Sequence, residues 1–394
     1  VTTQSIAISA AARQRYLLVL LFAGFVLTGV EITVAGPMLP LFIARWSLSD
    51  SQAGVFSIVQ FSGSLAGVWL SSLITHYFGT RTSLVLGYVM VGAGLATVNA
   101  SSMTVAFFAL AALGIGYGLV VPPTNLTVAE IGGVRSASLV SLVNLAWGVG
   151  AFSSSPLVLL ALKNGALVGL LYFFAGFGCL LAVSFLFSTF PEGGHAPTSS
   201  TTNAAGTSVA LITTIVLAAL YFLYVGVESS LGYWAAAYNN RLAGGGTGIS
   251  TLAPMFFYGA LLVGRAVAPF LLARFREYGL VMTALVVVIT GTTLYLLAGR
   301  QQTAFASLAL AGLGCATVFP IFVAWLSRWY GPRAGIVRGV MFSMSSLGSS
   351  SVPGVVGFVS GHAGGLLRIG LLVPLFSAVA MVFLLLLVRR QAAA

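Results

Sequence analysis

The stretch YLLVLLFAGFVLTGVEITVAGPMLPLF, residues 16–42, carries a single charged side chain, Glu31, in an otherwise apolar run. A hydrocarbon core of roughly 30 Å is crossed by about 20 helical residues, so this run is long enough to span a bilayer with tilt to spare. At about 1.5 Å per residue, Glu31 lies roughly 22 Å along the helix from Tyr16, inside the hydrocarbon zone. A carboxyl at that depth is costly unless it is paired, solvated in a cavity or protonated, which makes it a functional candidate by default. Arg13 and Arg15 precede the run without a small-residue cleavage site, so it is expected to be a retained first membrane helix.

The rest of the chain has the same texture. Its 394 residues are 59% hydrophobic and only 6% charged, too few charges to cover a soluble domain of that size. Breaks at Gly, Pro and charged residues divide it into spans near 16–43, 51–74, 82–98, 103–130, 137–161 and 166–190, then 209–236, 248–273, 281–298, 304–326, 339–360 and 368–388. The formal charge of +11 would suit nucleic acid, but the 17 basic residues are scattered singly or in pairs and form no stripe. The partner is therefore the lipid bilayer, with no nucleic acid. With both termini cytoplasmic, Arg13, Arg15, Arg81, Arg135, Arg274, Arg276, Arg328, Arg333, Arg338, Arg389 and Arg390 fall inside, against Arg45, Lys163, Arg241, Arg300 and Arg368 outside. Eleven against five is the bias of the positive-inside rule, in a multi-pass protein of the inner membrane.

Gly29-Val30-Glu31 recurs as Gly226-Val227-Glu228, an offset of 197; Gly114, Gly116 and Pro122 recur as Gly312, Gly314 and Pro320, and Gly150 as Gly348, an offset of 198. These matches predict an all-α membrane protein of twelve transmembrane helices in two parallel six-helix pseudo-repeats. The halves are residues 1–190 and 209–394, joined by a flexible cytoplasmic linker, PEGGHAPTSSTTNAAGTS, residues 191–208. Two such halves can rock about a central cavity, whereas a channel would need a filter or a ring of like charges, and neither is visible.

Six acids exist: Glu31, Asp50, Glu130, Glu192, Glu228 and Glu277. Asp50 opens a helix, where capping is the plain reading, and Glu277 lies in a turn between charged neighbours. Glu31 has no basic neighbour in its own helix, which suits proton coupling; sodium is the other candidate ion. Glu228, roughly 28 Å from Val209, lies in an aromatic segment suited to holding a substrate or locking helices. Asn125, Asn144, Trp147, Tyr224, Tyr233 and Trp234 fall at similar depth. Asn can bond hydroxyls and Trp can stack on a sugar ring, with interfacial anchoring as the alternative for Tyr233 and Trp234. Arg265, a gating candidate with Glu130, Arg135 and Arg81, is expected to meet Glu277 or a helix end or to snorkel to the surface, and Glu130 to pair with Arg135 at a cytoplasmic gate. Cys179 and Cys315 sit in apolar runs and His76, His195 and His362 are far apart, so no metal, cofactor or enzyme chemistry is expected.

The segment Tyr224-Val-Gly-Val-Glu228-Ser-Ser-Leu-Gly-Tyr-Trp234 resembles the seventh-helix signature of the fucose/glucose-galactose branch of the major facilitator superfamily. Asn144 to Gly150, Phe257 to Pro269 and Gly348 to Gly357 are similar to that group as well. The resemblance implies an alternating-access symporter, driven by protons or sodium, that moves a neutral sugar and works as a monomer. The family's loop after helix 2 is His76-Tyr77-Phe78-Gly79-Thr80-Arg81 here: it keeps the Gly and the gating base Arg81 but lacks the acid of the latch. Helix 4, Leu119-Val-Val-Pro-Pro, has no carboxylate where the fucose symporters carry one. Proton-coupled efflux of a drug-like or other small metabolite is the alternative that the same glutamates would serve.

Overall fold

A computed structural model describes residues 2–190, 211–245, 248–330 and 334–389; the linker expected at 191–208 lies outside the described residues. Those residues form helices and turns, with no strand among them. The first helices are α1 (Thr2–Thr33), α2 (Ala35–Trp46), α3 (Asp50–Thr97), α4 (Met103–Gly132), α5 (Ser136–Lys163) and α6 (Leu167–Leu186). They are followed by α7 (Leu211–Leu242), α8 (Ala253–Leu272), α9 (Glu277–Leu297), α10 (Gln301–Cys315), α11 (Val318–Tyr330), α12 (Ala334–His362), α13 (Leu367–Gly370) and α14 (Leu372–Leu387).

Ten stretches of the described residues are long and apolar enough to cross a bilayer, counting the 48 residues of Asp50–Thr97 as one. Large side chains such as Trp69, Tyr77, Phe108, Phe173, Phe270 and Phe383 are more than half exposed. In water that surface would drive aggregation; against acyl chains it is the ordinary outer face of a multi-pass membrane protein.

Prolines set the breaks. Pro37 has no N–H for the Thr33 carbonyl four residues back, and α1 gives way to α2 there, less than a turn after Glu31. Pro320 and Pro374 stand in the same relation to Ala316 and Gly370, where α10 yields to α11 and α13 to α14. α3 instead bends at Gly79, whose φ of 84° is open to glycine and strained for other residues.

α4 runs unbroken through Pro122 and Pro123, and the carbonyl that Pro123 frees finds partners. Leu119 O, four residues before Pro123, accepts from Ser83 Oγ at 2.8 Å and Ser71 Oγ at 3.4 Å, and Ser83 also donates to Ser71 at 3.1 Å. One carbonyl thus ties both arms of α3 to α4.

Two units pack densely within themselves. One comprises residues 2–32, 63–150 and 168–190, with Leu21, Phe25, Tyr88, Leu113, Val120 and Phe185 in its core. There α3 and α4 meet backbone to backbone: a Cβ on Gly118 would stand 2.5 Å from Val68 N, and one on Gly67 would be 3.0 Å from Gly118 Cα. The other comprises residues 33–62, 151–167 and the described residues from 211 onward, with Phe42, Phe56, Trp234, Phe257, Phe322 and Trp325 at its centre.

The sequence offset reappears in contacts inside each unit. A Cβ on Gly116 would lie 2.8 Å from Gly87 O and 3.0 Å from Val91 N; one on Gly314 would lie 2.8 Å from Ala284 O and 2.7 Å from Val288 N. Gly94 approaches Ala109 O as Gly291 approaches Ser307 O.

Ser83→Ala is expected to lower stability by about 1 kcal/mol, because the Leu119 carbonyl loses its shorter bond. Thermal unfolding in detergent reads this, and an unchanged Tm would show that Ser71 alone satisfies the carbonyl.

Candidate functional site

Glu31 occupies the last turn of α1 and is wholly buried. Neither carboxyl oxygen has a hydrogen-bond partner among the described residues. The unit's other polar focus joins α4 to α5: Asn144 Nδ2 donates to Asn125 Oδ1 at 2.9 Å and to Val140 O at 2.8 Å, while Asn125 Nδ2 donates to Val121 O at 3.0 Å. Trp147, three residues along α5 from Asn144, is half-buried beside them in sequence and on the same helix face. These side chains offer amide and indole groups suited to hydroxyls and carry no net charge.

Glu228 is in different company. Tyr224, one turn earlier on α7 and buried, directs its hydroxyl at Glu228 Oε2 (2.5 Å) and at Cys315 O (2.8 Å). That carbonyl closes α10, just ahead of the break near Pro320, so the interrupted helix supplies the acceptor. Arg265 Nη2 reaches both Glu228 oxygens, at 3.4 and 3.3 Å, from α8. Both side chains are mostly buried, 20% exposed for Arg265 and 13% for Glu228. Arg265 therefore meets Glu228 across a helix pair, in place of the Glu277 or helix-end contact expected for it. Glu277 instead binds Arg328 and accepts from Trp325 Nε1 at 2.7 Å.

Tyr233 and Trp234 are buried crosslinks. The Tyr233 hydroxyl donates to Ala53 O at 2.8 Å and Trp234 Nε1 donates to Pro353 O at 2.9 Å, which commits the donor each would offer a substrate. Glu130 and Arg135 are both exposed, and no ion pair joins them among the described residues. Arg81 donates to Ser188 O at 2.8 Å with its guanidinium over the Phe190 ring. Cys315 is buried as expected, whereas Cys179 is exposed on α6, where an apolar thiol costs nothing against lipid. No group of three or more metal-binding side chains occurs among the described residues.

One charged site escaped the sequence reading. Asp50, only 3% exposed, is no simple cap: Arg241 grips both its oxygens from the end of α7, and Ser360 Oγ donates to it from α12. Arg241 also donates to Gly365 O at 2.8 Å. The signal was available, since Asp50 and Arg241 are opposite charges assigned to the same side of the membrane.

Arg265→Leu should lower stability by about 3 kcal/mol, because it leaves the Glu228 carboxylate buried without its counter-charge; the double Glu228→Leu/Arg265→Leu variant should recover most of that loss. Thermal unfolding of the three proteins checks this, and a double variant as unstable as the sum of the singles would contradict it.

No protein-family model and no curated protein matches the sequence. Solved transporter structures do match in three dimensions. A nucleoside transporter aligns with a TM-score of 0.74 and 16% identity over 94% of this chain and 98% of its own. A D-xylose-proton symporter gives 0.71 and 18% over 93% and 96%, and the E. coli fucose:proton symporter 0.63 and 17% over 96% and 99%. The likeness spreads across these different cargoes, so it does not single out the fucose branch suggested by the α7 segment. What it does establish, at such identities, is architecture: the chain has the fold of the major facilitator superfamily transporters.

Proposed function

We propose that this protein is a secondary transporter working by alternating access, and that it couples proton entry through Glu31 to symport of a neutral sugar. The reading takes twelve spans in two parallel halves, residues 1–190 and 209–394 joined by 191–208, in an inner membrane with both termini cytoplasmic. The Gly116/Gly314 and Gly94/Gly291 contacts, repeated at offsets of 197–198 residues, support that repeat.

The observation that carries the coupling is the burial of Glu31 with no partner for either oxygen among the described residues. Such a group is stable in hydrocarbon as the neutral acid and needs water or a polar partner as the anion, which is what a carrier loading on one side and releasing on the other requires. A carboxyl meets this need by taking up a proton itself, whereas sodium, the other candidate ion, would recruit further oxygen ligands. Glu228 is the poorer carrier, because the adjacent Arg265 guanidinium favours its charged form. Asn125, Asn144 and Trp147, and separately Glu228 and Tyr224, supply donors and acceptors suited to substrate hydroxyls. In this topology Asp50 and Arg241 latch the outer end, while Arg81, Glu130 and Arg135 belong to the cytoplasmic gate. The protein performs no chemistry on its cargo.

The aromatic cluster beside Tyr224 favours a second reading, proton-coupled efflux of a drug-like or other small metabolite. Tyr224 stacks on Phe319 at 6.0 Å between centroids, and Tyr221, Phe322 and Phe342 extend the cluster.

Proteoliposomes given an inward proton gradient and a panel of neutral sugars separate the two. Gradient-driven accumulation of a sugar supports symport, and extrusion of an aromatic cation with no sugar uptake supports efflux. Glu31→Gln is expected to abolish accumulation while counterflow persists; undiminished accumulation would refute the coupling role.

A further inference from the structure

Tyr88, on the second arm of α3, is a buried neighbour of Glu31 that the transport reading leaves without a task. It is wholly buried, and its hydroxyl, like both Glu31 oxygens, has no hydrogen-bond partner among the described residues. A buried hydroxyl without a partner is a liability that phenylalanine would avoid at equal packing, since the ring already stacks on Phe185 at 5.5 Å and 10°.

The place of that hydroxyl explains why it is there. It lies against α1 at Gly24, where a Cβ would collide with the phenolic oxygen and stand 2.6 Å from the ring carbon that bears it. Gly24 and Glu31 are seven residues apart, two helical turns, and so lie on one stripe of α1. The Tyr88 hydroxyl faces that stripe at Gly24. α5 and α6 pack on the same stretch, with Gly150 against Val26 and Val30 and Gly178 against Leu27. Their titratable groups are Lys163, exposed at the end of α5, Tyr172, exposed, and Cys179, exposed beside Gly92. On the same arm of α3 as Tyr88, two turns away, Arg81 donates to Ser188 O.

We propose that Tyr88 is the positioning residue for the Glu31 proton. Its O–H donates to the Glu31 carboxylate once the proton has left, and its oxygen accepts from the carboxylic acid once the proton returns. Neither group is hydrogen-bonded among the described residues, and contact between them is made by rotation of the Glu31 side chain or through a bridging water. A phenol serves both states because it donates and accepts, and Tyr88 itself neither gains nor loses a proton over the cycle. The proposal rests on Glu31 being the proton carrier.

The test compares wild type, Tyr88→Phe and Glu31→Gln in proteoliposomes, with sugar counterflow, proton-driven uptake against pH, and Tm as readouts. Tyr88→Phe is expected to keep counterflow and a Tm no lower than wild type. Its uptake midpoint should move about one unit toward higher pH, a tenfold change in proton affinity, because both states lose a bond and the bond to the anion is the stronger of the two. A fluorinated tyrosine at position 88 keeps the shape, strengthens the donor and should move the midpoint the other way; it carries the test if the Phe variant folds poorly. A midpoint unmoved in both variants, while Glu31→Gln loses accumulation, overturns the role of Tyr88 and leaves the coupling reading standing. Accumulation retained in Glu31→Gln overturns the coupling reading, and this proposal with it.

Discussion

Hydrocarbon offers no hydrogen bonds, so every main-chain group that a proline or a bend releases must be answered from inside the protein. That constraint organises this fold. Leu119 O, left by Pro123, is met by Ser83 and Ser71, and α4 stays whole. Near Pro320 the helix does break, and Cys315 O is met by Tyr224, whose hydroxyl is also the nearest donor to Glu228. Trp234 meets Pro353 O and Tyr233 meets Ala53 O. Several polar side chains conspicuous in the sequence thus commit their donors to main-chain carbonyls.

Charge follows the same logic at higher stakes. The described residues hold three ion pairs, Asp50–Arg241, Glu228–Arg265 and Glu277–Arg328, and each sets a carboxylate against a guanidinium from another helix. Glu31 stands apart from them as a buried acid with no base bonded to it. A paired carboxylate is held by its partner, whereas an unpaired one can change protonation when its surroundings change from dry to wet. This contrast separates the two glutamates that share a Gly-Val-Glu sequence context.

Much of the fold was legible in the sequence because hydrocarbon leaves few options: long apolar runs, proline and glycine breaks, and charges at the ends. The glycine offset reappears in contacts, since close helix approaches leave no room for a Cβ at Gly116 and Gly314. The candidate site was less legible. Periodicity placed Glu228, Tyr224 and Arg265 at workable depths, but which base an acid meets depends on helix neighbours far apart in the chain, so Arg265 was sent to Glu277 and Asp50 was read as a cap. Tyr233 and Trp234 looked like pocket lining because an indole or phenol reads the same whether its donor faces a substrate or a carbonyl. Tyr88 gave no local signal at all, since its significance lies in Gly24, on another helix.

The central claim is that Glu31 exchanges a proton as the protein works. Infrared difference spectra of the lipid-embedded protein, recorded across a pH step and on adding substrate, report a carboxylic acid gaining or losing its proton directly. The account requires a protonated-carboxyl band that responds to both and is missing in Glu31→Gln. A band that persists unchanged in that variant would assign the proton to another group and contradict the account.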